Sequence, residues 1–324
     1  ITSGYDENSD NGQIVAVDIA TGNTKFQFDL GAKGEILDYY SPTSPAAVDS
    51  DDDGYLDLIY VGDTNGVLWK IYFNPTTLDW SCSKLCETNS DQSITAKPLL
   101  VFDKSNATSS DRKLRVFFGT GRLMIEKDKF DPLTKDNSFY CIVEEEDGGG
   151  HYSSASVNVG ALIDITQYDT ETELEGYFAT GNDIYNSFYG TGWKFNLSDL
   201  DERVVTDPTC VAGVVYFTSF NLNAPTKTFC GTSRLYAVDY ETGVEPRYKG
   251  LPVIEFTEDK ETEHNSHPRY ADLSGNGIAW APQLIHDTDS KGTSLVIRKA
   301  DGTNEVIPLN TKHKDMWLKS WKLN

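Results

Sequence analysis

An apolar run that ends at or beside a glycine, followed after a loop by a second run with an aromatic or apolar centre, recurs along this chain. The pairs are "LIYVGD" with "VLWKIYF", "VFFGTG" with "SFYCIVE" and "GYFATG" with "GTGWKFNL", and the same pairing continues, without the glycine, as "VVYFTSF" with "RLYAVDYETG". The N-terminal "GQIVAVDIATG" nearly duplicates the last second member. Runs of this length, rich in aromatic and β-branched residues and bounded by Gly, Asn, Asp and Pro, read as strands, and 3.6-residue periodicity is almost absent. The repeated unit is therefore a hairpin and the chain reads as all-β. With Tyr60, Phe118, Phe178 and Phe217 as equivalent positions, the period is irregular at about 40 to 60 residues, close to that of propeller blades carrying insertions. A large sandwich also uses short strands but does not predict repeated hairpins of one type. The expectation is one β-propeller domain over residues 1–324, with about six to seven blades.

A propeller closes its ring or leaves a blade edge open to aggregation. Residues 13 to 30 read as the last half of a blade and the C-terminal "DMWLKSWKLN" as an orphan strand, so the two are expected to share a blade and close the ring. The polar stretches Asn74 to Ala96, Asp103 to Arg112 and Met124 to Asn137 are expected to be surface loops. The chain starts at Ile1, with neither an initiator Met nor a signal peptide, as expected of an excised or processed part of a longer polypeptide.

Charge narrows the partners. Lys and Arg number 28 against 50 Asp and Glu, a net charge of −22, which repels phosphate backbones and anionic lipid surfaces. Nucleic acid is not an expected partner. No stretch approaches the roughly 20 apolar residues that span a bilayer, so membrane insertion is not expected either. Such acidity suits a soluble extracellular surface or cation binding, and equally simple solubility, so the total charge does not decide between them.

Five cysteines, Cys82, Cys86, Cys141, Cys210 and Cys230, form neither a haem-attachment signature nor a paired zinc pattern. Cys82 could bridge to Cys86 if their segment makes a tight turn, and Cys210 and Cys230 flank an apolar strand. Cys141, inside "SFYCIVEEE", is expected to be a free core thiol.

The densest acidic stretch is "DSDDDGYLD" from Asp49. Asp49, Asp51, Asp53 and Asp57 fall at positions 1, 3, 5 and 9 of a D-x-D-x-D-G-x-x-D pattern, with Gly54 at position 6. Alternate carboxylates turn toward one centre as such a loop curls, the glycine allows the sharp bend, and the Tyr55 carbonyl is expected to face the same point. Hard oxygen ligands in that number suit Ca²⁺, which also relieves the mutual repulsion of the carboxylates. An EF-hand is ruled out because Tyr60 stands at position 12 in place of the bidentate Glu and a strand follows where a helix is required. The reading is a calcium loop in a β-hairpin, with Asp52 toward solvent and Asp63, in "VGDTNG", a turn residue outside the site.

Other candidates are weaker. "ADLSGNG" from Ala271 has too few side-chain oxygens, and "DENSDNG" from Asp6 has irregular spacing. His264 and His267 have no evident third ligand, and the sequons at Asn106 and Asn196 matter only in a glycosylating host.

Taken in order, "SPAAVDSDDDGYLDLIYVGDTNGVLWKI", "RVFFGTGRLM", "NSFYCIVEEEDG", "GWKFNLSDLDERVVTDPTCVAGVVYFTSF" and "CGTSRLYAVDYETG" resemble the C-terminal β-propeller of PilY-type tip-associated proteins of bacterial type IV pili. The resemblance implies an extracellular, secreted bacterial protein at the pilus tip that binds Ca²⁺ and acts in pilus biogenesis, extension, retraction and surface adhesion. It implies Asp49, Asp51, Asp53, Tyr55 and Asp57 as the matching ligands, and minor pilins or the tip complex, with a host or abiotic surface receptor, as partners. No "RGD" occurs in the chain, so integrin-type binding has no support.

Two other functions compete. "AVDIATG" and "AVDYETG" also resemble strands of quinoprotein enzymes, but the adjacent cysteine pair of those enzymes is absent, and no nucleophile and base arrangement stands out. A carbohydrate- or protein-binding propeller would display aromatics on its insertions, Trp80 being the first candidate. Ion binding without catalysis is the expectation.

Overall fold

The computed structural model describes residues 1–3, 12–30, 32–33, 38–39, 42–51, 53–74, 77–88, 92–102, 113–124, 136–145, 152, 155–178, 190–222, 231–248, 251–252, 269–273, 277–286 and 293–309. The chain divides into two compact units: Ile1–Thr166 with Asp183–Thr206, and Gln167–Asn182 with Asp207–Asn324. Each is built from mainly antiparallel sheets that follow one another in sequence, with a parallel pair, Ile163–Asp164 beside Gly192–Asn196, in the first.

The first unit opens with the hairpin β1 (Gln13–Val17) and β2 (Thr24–Asp29), whose turn is held by Asp18, its Oδ1 accepting from the N–H groups of Ala20 and Thr21 at 3.0 and 2.9 Å. Next comes a sheet of β3 (Ala46–Val48), β4 (Leu58–Gly62), β5 (Val67–Asn74) and β6 (Asp79–Glu87), paired in that order. The following sheet contains β7 (Leu99–Phe102), β8 (Lys113–Gly119), β9 (Ser138–Glu145), β10 (Ile163–Asp164) and β11 (Gly192–Asn196), in the order β10-β11-β9-β8-β7. Three of the four expected strand pairings are present: "LIYVG" with "VLWKIYF", "VFFG" with "SFYCIVE" and, in the second unit, "VVYFTSF" with "RLYAVD".

Sequence period explains which faces are buried. In β8, every residue from Leu114 to Gly119 is buried, because both faces of this central strand are covered and its apolar run is continuous. Leu114, Val116 and Phe118 meet Leu58, Tyr60, Leu68, Leu85 and Cys86, so one core lies between the two sheets of this unit. The opposite face of the first sheet, with Val61, Val67, Trp69 and Ile71, is covered by Ile14 and Leu30. Full burial of side chains of this size contributes about 1.5–3 kcal/mol each.

The glycines that end the first strands of the first two pairs have a steric cause. A Cβ at Gly62 would lie 2.2 Å from Ile94 Cγ2, and one at Gly119 would lie 2.4 Å from Val204 Cβ. Both glycines let a later segment pack flush against the end of the strand.

In the second unit, α1 (Glu171–Phe178) precedes a sheet of β12 (Thr209–Val211), β13 (Val214–Asn221), β14 (Thr232–Asp239) and β15 (Tyr270–Asp272). A further sheet holds β16 (Gln283–His286), β17 (Thr293–Arg298) and β18 (Asn304–Leu309). Their shared core joins Val214, Tyr216 and Leu235 to Leu295, Ile297 and Ile307. After β14, Asp239 Oδ1 accepts from the N–H groups of Glu241 and Thr242, both at 2.9 Å, and Gly243 follows at φ +70°. This repeats the Asp18 turn, where Gly22 has φ +74°, and accounts for the duplicated "AVD" segments.

Several expectations are corrected. "GYFATG" is not a strand up to Phe178: Glu171–Phe178 is a helix, started by a capping box in which Thr170 Oγ1 accepts from the Glu173 N–H at 3.3 Å. Glu173 in return accepts from the N–H groups of Asp169 and Thr170 at 2.9 and 3.0 Å. Threonine followed three residues later by glutamate was the overlooked signal. "GWKFN" pairs instead with β9.

Asn74 to Ala96 is not a surface loop, since it contains the nine-residue strand β6. Trp80 on that strand is half-buried, with its ring centroid 4.8 Å from that of Phe26 and 5.7 Å from that of Phe73. Cys82 and Cys86 are free. They stand four residues apart on one extended strand, where no tight turn brings them together. Burial pushes the Cys82 thiol up to about 11. Cys141 is fully buried in the core and takes part in no disulfide, as expected. Cys210, on β12, is free, while Cys230 and the proposed ring-closing segment 315–324 lie outside the described residues.

Candidate metal centre

The acidic stretch connects β3 to β4, with Val48 paired to Leu58 across its base. Asp57 fastens the closing end: its Oδ2 accepts from the Ser50 N–H at 2.7 Å and from Ser50 Oγ at 2.9 Å, and its own N–H donates to the Val48 carbonyl at 3.2 Å. Its carbonyl accepts from the Phe73 N–H at 2.9 Å, which ties the loop to β5 as well.

Between these anchors the chain winds around its own carboxylates. Asp49 accepts from the N–H groups of Asp53 (3.2 Å, Oδ1) and Gly54 (2.8 Å, Oδ2). Asp51 Oδ1 also accepts from the Asp53 N–H, at 3.1 Å, and Asp53 Oδ1 accepts from the Tyr55 N–H at 2.8 Å. Gly54 has φ +92°, a left-handed conformation that L side chains adopt at a cost.

Asp49, Asp51 and Asp57 each present a carboxylate oxygen within 4.8 Å of the others. Asp49 and Asp57 are half-buried and Asp51 is exposed. Asp53 and Tyr55 occupy the intervening turn outside this group of three, with Tyr55 76% exposed. Asp52, His264, His267, Asn106 and nearly all of "DENSDNG" lie outside the described residues.

The electrostatics suit a cation. The hydrogen bond from Asp53 lowers the pKa of Asp51, but desolvation and the carboxylates of Asp57, Asp53 and Asp49 together outweigh it, so the net direction is upward. Carboxylate oxygens that already accept one N–H keep a lone pair for a metal. Three such groups with an exposed approach fit a hard divalent ion. Ser50, which fixes the Asp57 carboxylate, escaped the sequence reading because a serine inside an acidic run has no distinctive spacing.

Asp63 is a turn residue, as expected. Fully buried, it accepts from the N–H groups of Asn65 and Val67 through Oδ1 (2.8 and 2.9 Å) and from Trp69 Nε1 through Oδ2 (2.7 Å). Asn196, in the second sequon, is half-buried, and its Oδ1 accepts from Ser138 Oγ at 2.9 Å.

No family model and no curated protein matches the chain. Among solved structures, the Dos1 propeller aligns with 92% of this chain and 66% of its own at 12% identity and a TM-score of 0.38. Sqt1 of Saccharomyces cerevisiae aligns with 93% and 79% at 11% identity and a TM-score of 0.26. The C-terminal domain of PilY1 from Pseudomonas aeruginosa aligns with 95% of this chain and 68% of its own at a TM-score of 0.64 and 17% identity. The chain therefore has an all-β, propeller-type fold like that of the PilY1 C-terminal domain.

Proposed function

We propose that the chain is a calcium-binding, non-catalytic propeller of a type IV pilus tip protein, acting outside the cell in pilus biogenesis, control of extension and retraction, and surface adhesion. The observation that carries this reading is the convergence of Asp49, Asp51 and Asp57 within 4.8 Å in a chain with the fold of the PilY1 C-terminal domain. Asp49, Asp51 and Asp57 supply carboxylates to the ion, and Asp53 and the Tyr55 carbonyl complete the set as the loop closes around it. The bound ion would neutralise the carboxylates and fix the β3–β4 connection. Minor pilins or the tip complex are the proposed partners, together with a host or abiotic surface.

Calorimetric titration of ion-free protein with Ca²⁺ and Mg²⁺ tests the site. One Ca²⁺ per chain is expected, and free ion at about 100 times Kd stabilises the fold by roughly 2.7 kcal/mol. The double variant Asp51→Ala, Asp53→Ala is expected to keep the fold and lose the response; a calcium response that survives in it overturns the assignment. The pilus role is tested separately, in a strain carrying that variant in its own gene. Altered piliation, retraction or attachment is expected, and behaviour identical to the parent strain rejects that part of the reading.

A further inference from the structure

An ion pair joined by a tyrosine hydroxyl is buried in the core between the β3–β6 sheet and the β7–β11 sheet of the first unit. Tyr60 on β4 and Lys70 on β5 are register partners, and Glu144 lies on β9 in the neighbouring sheet. Tyr60, Lys70 and Glu144 are 0%, 1% and 5% exposed. Lys70 Nζ donates to Glu144 Oε1 at 2.7 Å and to the Tyr152 carbonyl at 3.4 Å, while the Tyr60 hydroxyl donates to Glu144 Oε2. The ammonium also sits 5.8 Å from the centroid of the Tyr60 ring and 6.0 Å from that of Tyr72.

The surroundings are apolar: Leu58, Leu68, Cys86, Leu114, Tyr140 and Ile142 belong to the same core. Burial lowers the Lys70 pKa and Glu144 opposes the shift; burial first, then Glu144, holds the Tyr60 hydroxyl well above its usual value, so it stays a donor. Apolar side chains of equal volume would fill this space without the desolvation cost of two charges. They would also accept neighbouring packings, because apolar contact is non-directional. A lysine whose partner carboxylate sits on the next sheet accepts one packing only, since any slip leaves a buried charge unpaired.

We propose that Tyr60, Lys70 and Glu144 form a buried clasp that selects a single packing of β4 and β5 against β9, and with it the seating of the hairpin that carries the acidic loop. The clasp supplies specificity more than net stability.

Urea unfolding and amide hydrogen exchange of the full chain test this. Lys70→Met or Glu144→Met alone is expected to lower the folding equilibrium constant about 100-fold or more, because the remaining charge is stranded. The double variant is expected to return to within about tenfold of the parent, yet to show multiple resonances and faster exchange in β4, β5 and β9. Should a single variant fail to fold, Tyr60→Phe, which removes only the hydroxyl, is expected to give a milder version of the same faster exchange. A double variant with one sharp set of resonances and parental exchange overturns the clasp. So do single variants as stable as the parent, or a peptide joining Lys70 to Glu144 with a mass lower by one water, which would make the link a covalent amide.

Discussion

Asp51 carries the sharpest electrostatic consequence of the loop. Its pKa is raised because desolvation and the neighbouring carboxylates outweigh the hydrogen bond from Asp53. A carboxyl whose folded pKa exceeds its unfolded value contributes stability at low pH, and the contribution is lost as pH rises through the raised folded value. In chelator, then, the melting temperature of the parent protein carries a decrement from this group above the carboxylate range. Asp51→Asn is expected to remove that decrement, giving an ion-free protein at pH 7 at least as stable as the parent, and to abolish the rise produced by Ca²⁺. A less stable ion-free variant would show that repulsion does not govern the loop. At this scale the sequence was informative where spacing carried the chemistry. The alternation of Asp49, Asp51 and Asp53 and the glycine at 54 led to the loop, whereas Ser50 and Glu144 owe their roles to partners 7 residues and 74 to 84 residues away.

Among the elements, the paired strands were legible because their faces are covered in different ways. Strands buried on both sides, such as Val214–Asn221 with every residue buried, need continuous apolar runs, and these stand out from turns rich in Gly, Asn and Asp. The glycine that ends a first strand gives a test of how tightly those elements meet. Gly119→Ala places a Cβ 2.4 Å from Val204 Cβ, and overpacking of this kind is expected to cost about 1–3 kcal/mol in urea unfolding. Adding Val204→Ala should recover part of the loss; equal stability of Gly119→Ala and parent would mean the segment yields freely. The helix Glu171–Phe178 and the strand Asp79–Glu87 were misread for opposite reasons. The aromatic "GYF" masked a capping box, and β6 is an outer strand whose side chains are mostly half-buried, so its sequence reads as polar.

For the whole molecule, a net charge of −22 opposes compaction by self-repulsion. Raising NaCl from about 10 mM to about 150 mM shortens the screening length to about 8 Å and is expected to raise the melting temperature of ion-free protein. A flat or falling profile would mean that the paired charges dominate the balance. Ca²⁺ added at constant ionic strength should stabilise further, which separates site binding from screening.

Strand periodicity, turn residues and the aspartate spacing are local properties, and for that reason the sequence by itself determined an all-β chain of repeated hairpins and located its acidic loop. Tertiary structure decided which carboxylates converge, since Asp57 meets Asp49 and Asp51 only once Ser50 and the base of the hairpin hold it in place. It also decided that the charged residue in "VLWKIYF" points into a core, because the carboxylate that makes its burial tolerable comes from another sheet. Local preference follows from neighbours in the chain, whereas desolvation and charge pairing depend on distances that exist only after the sheets have packed.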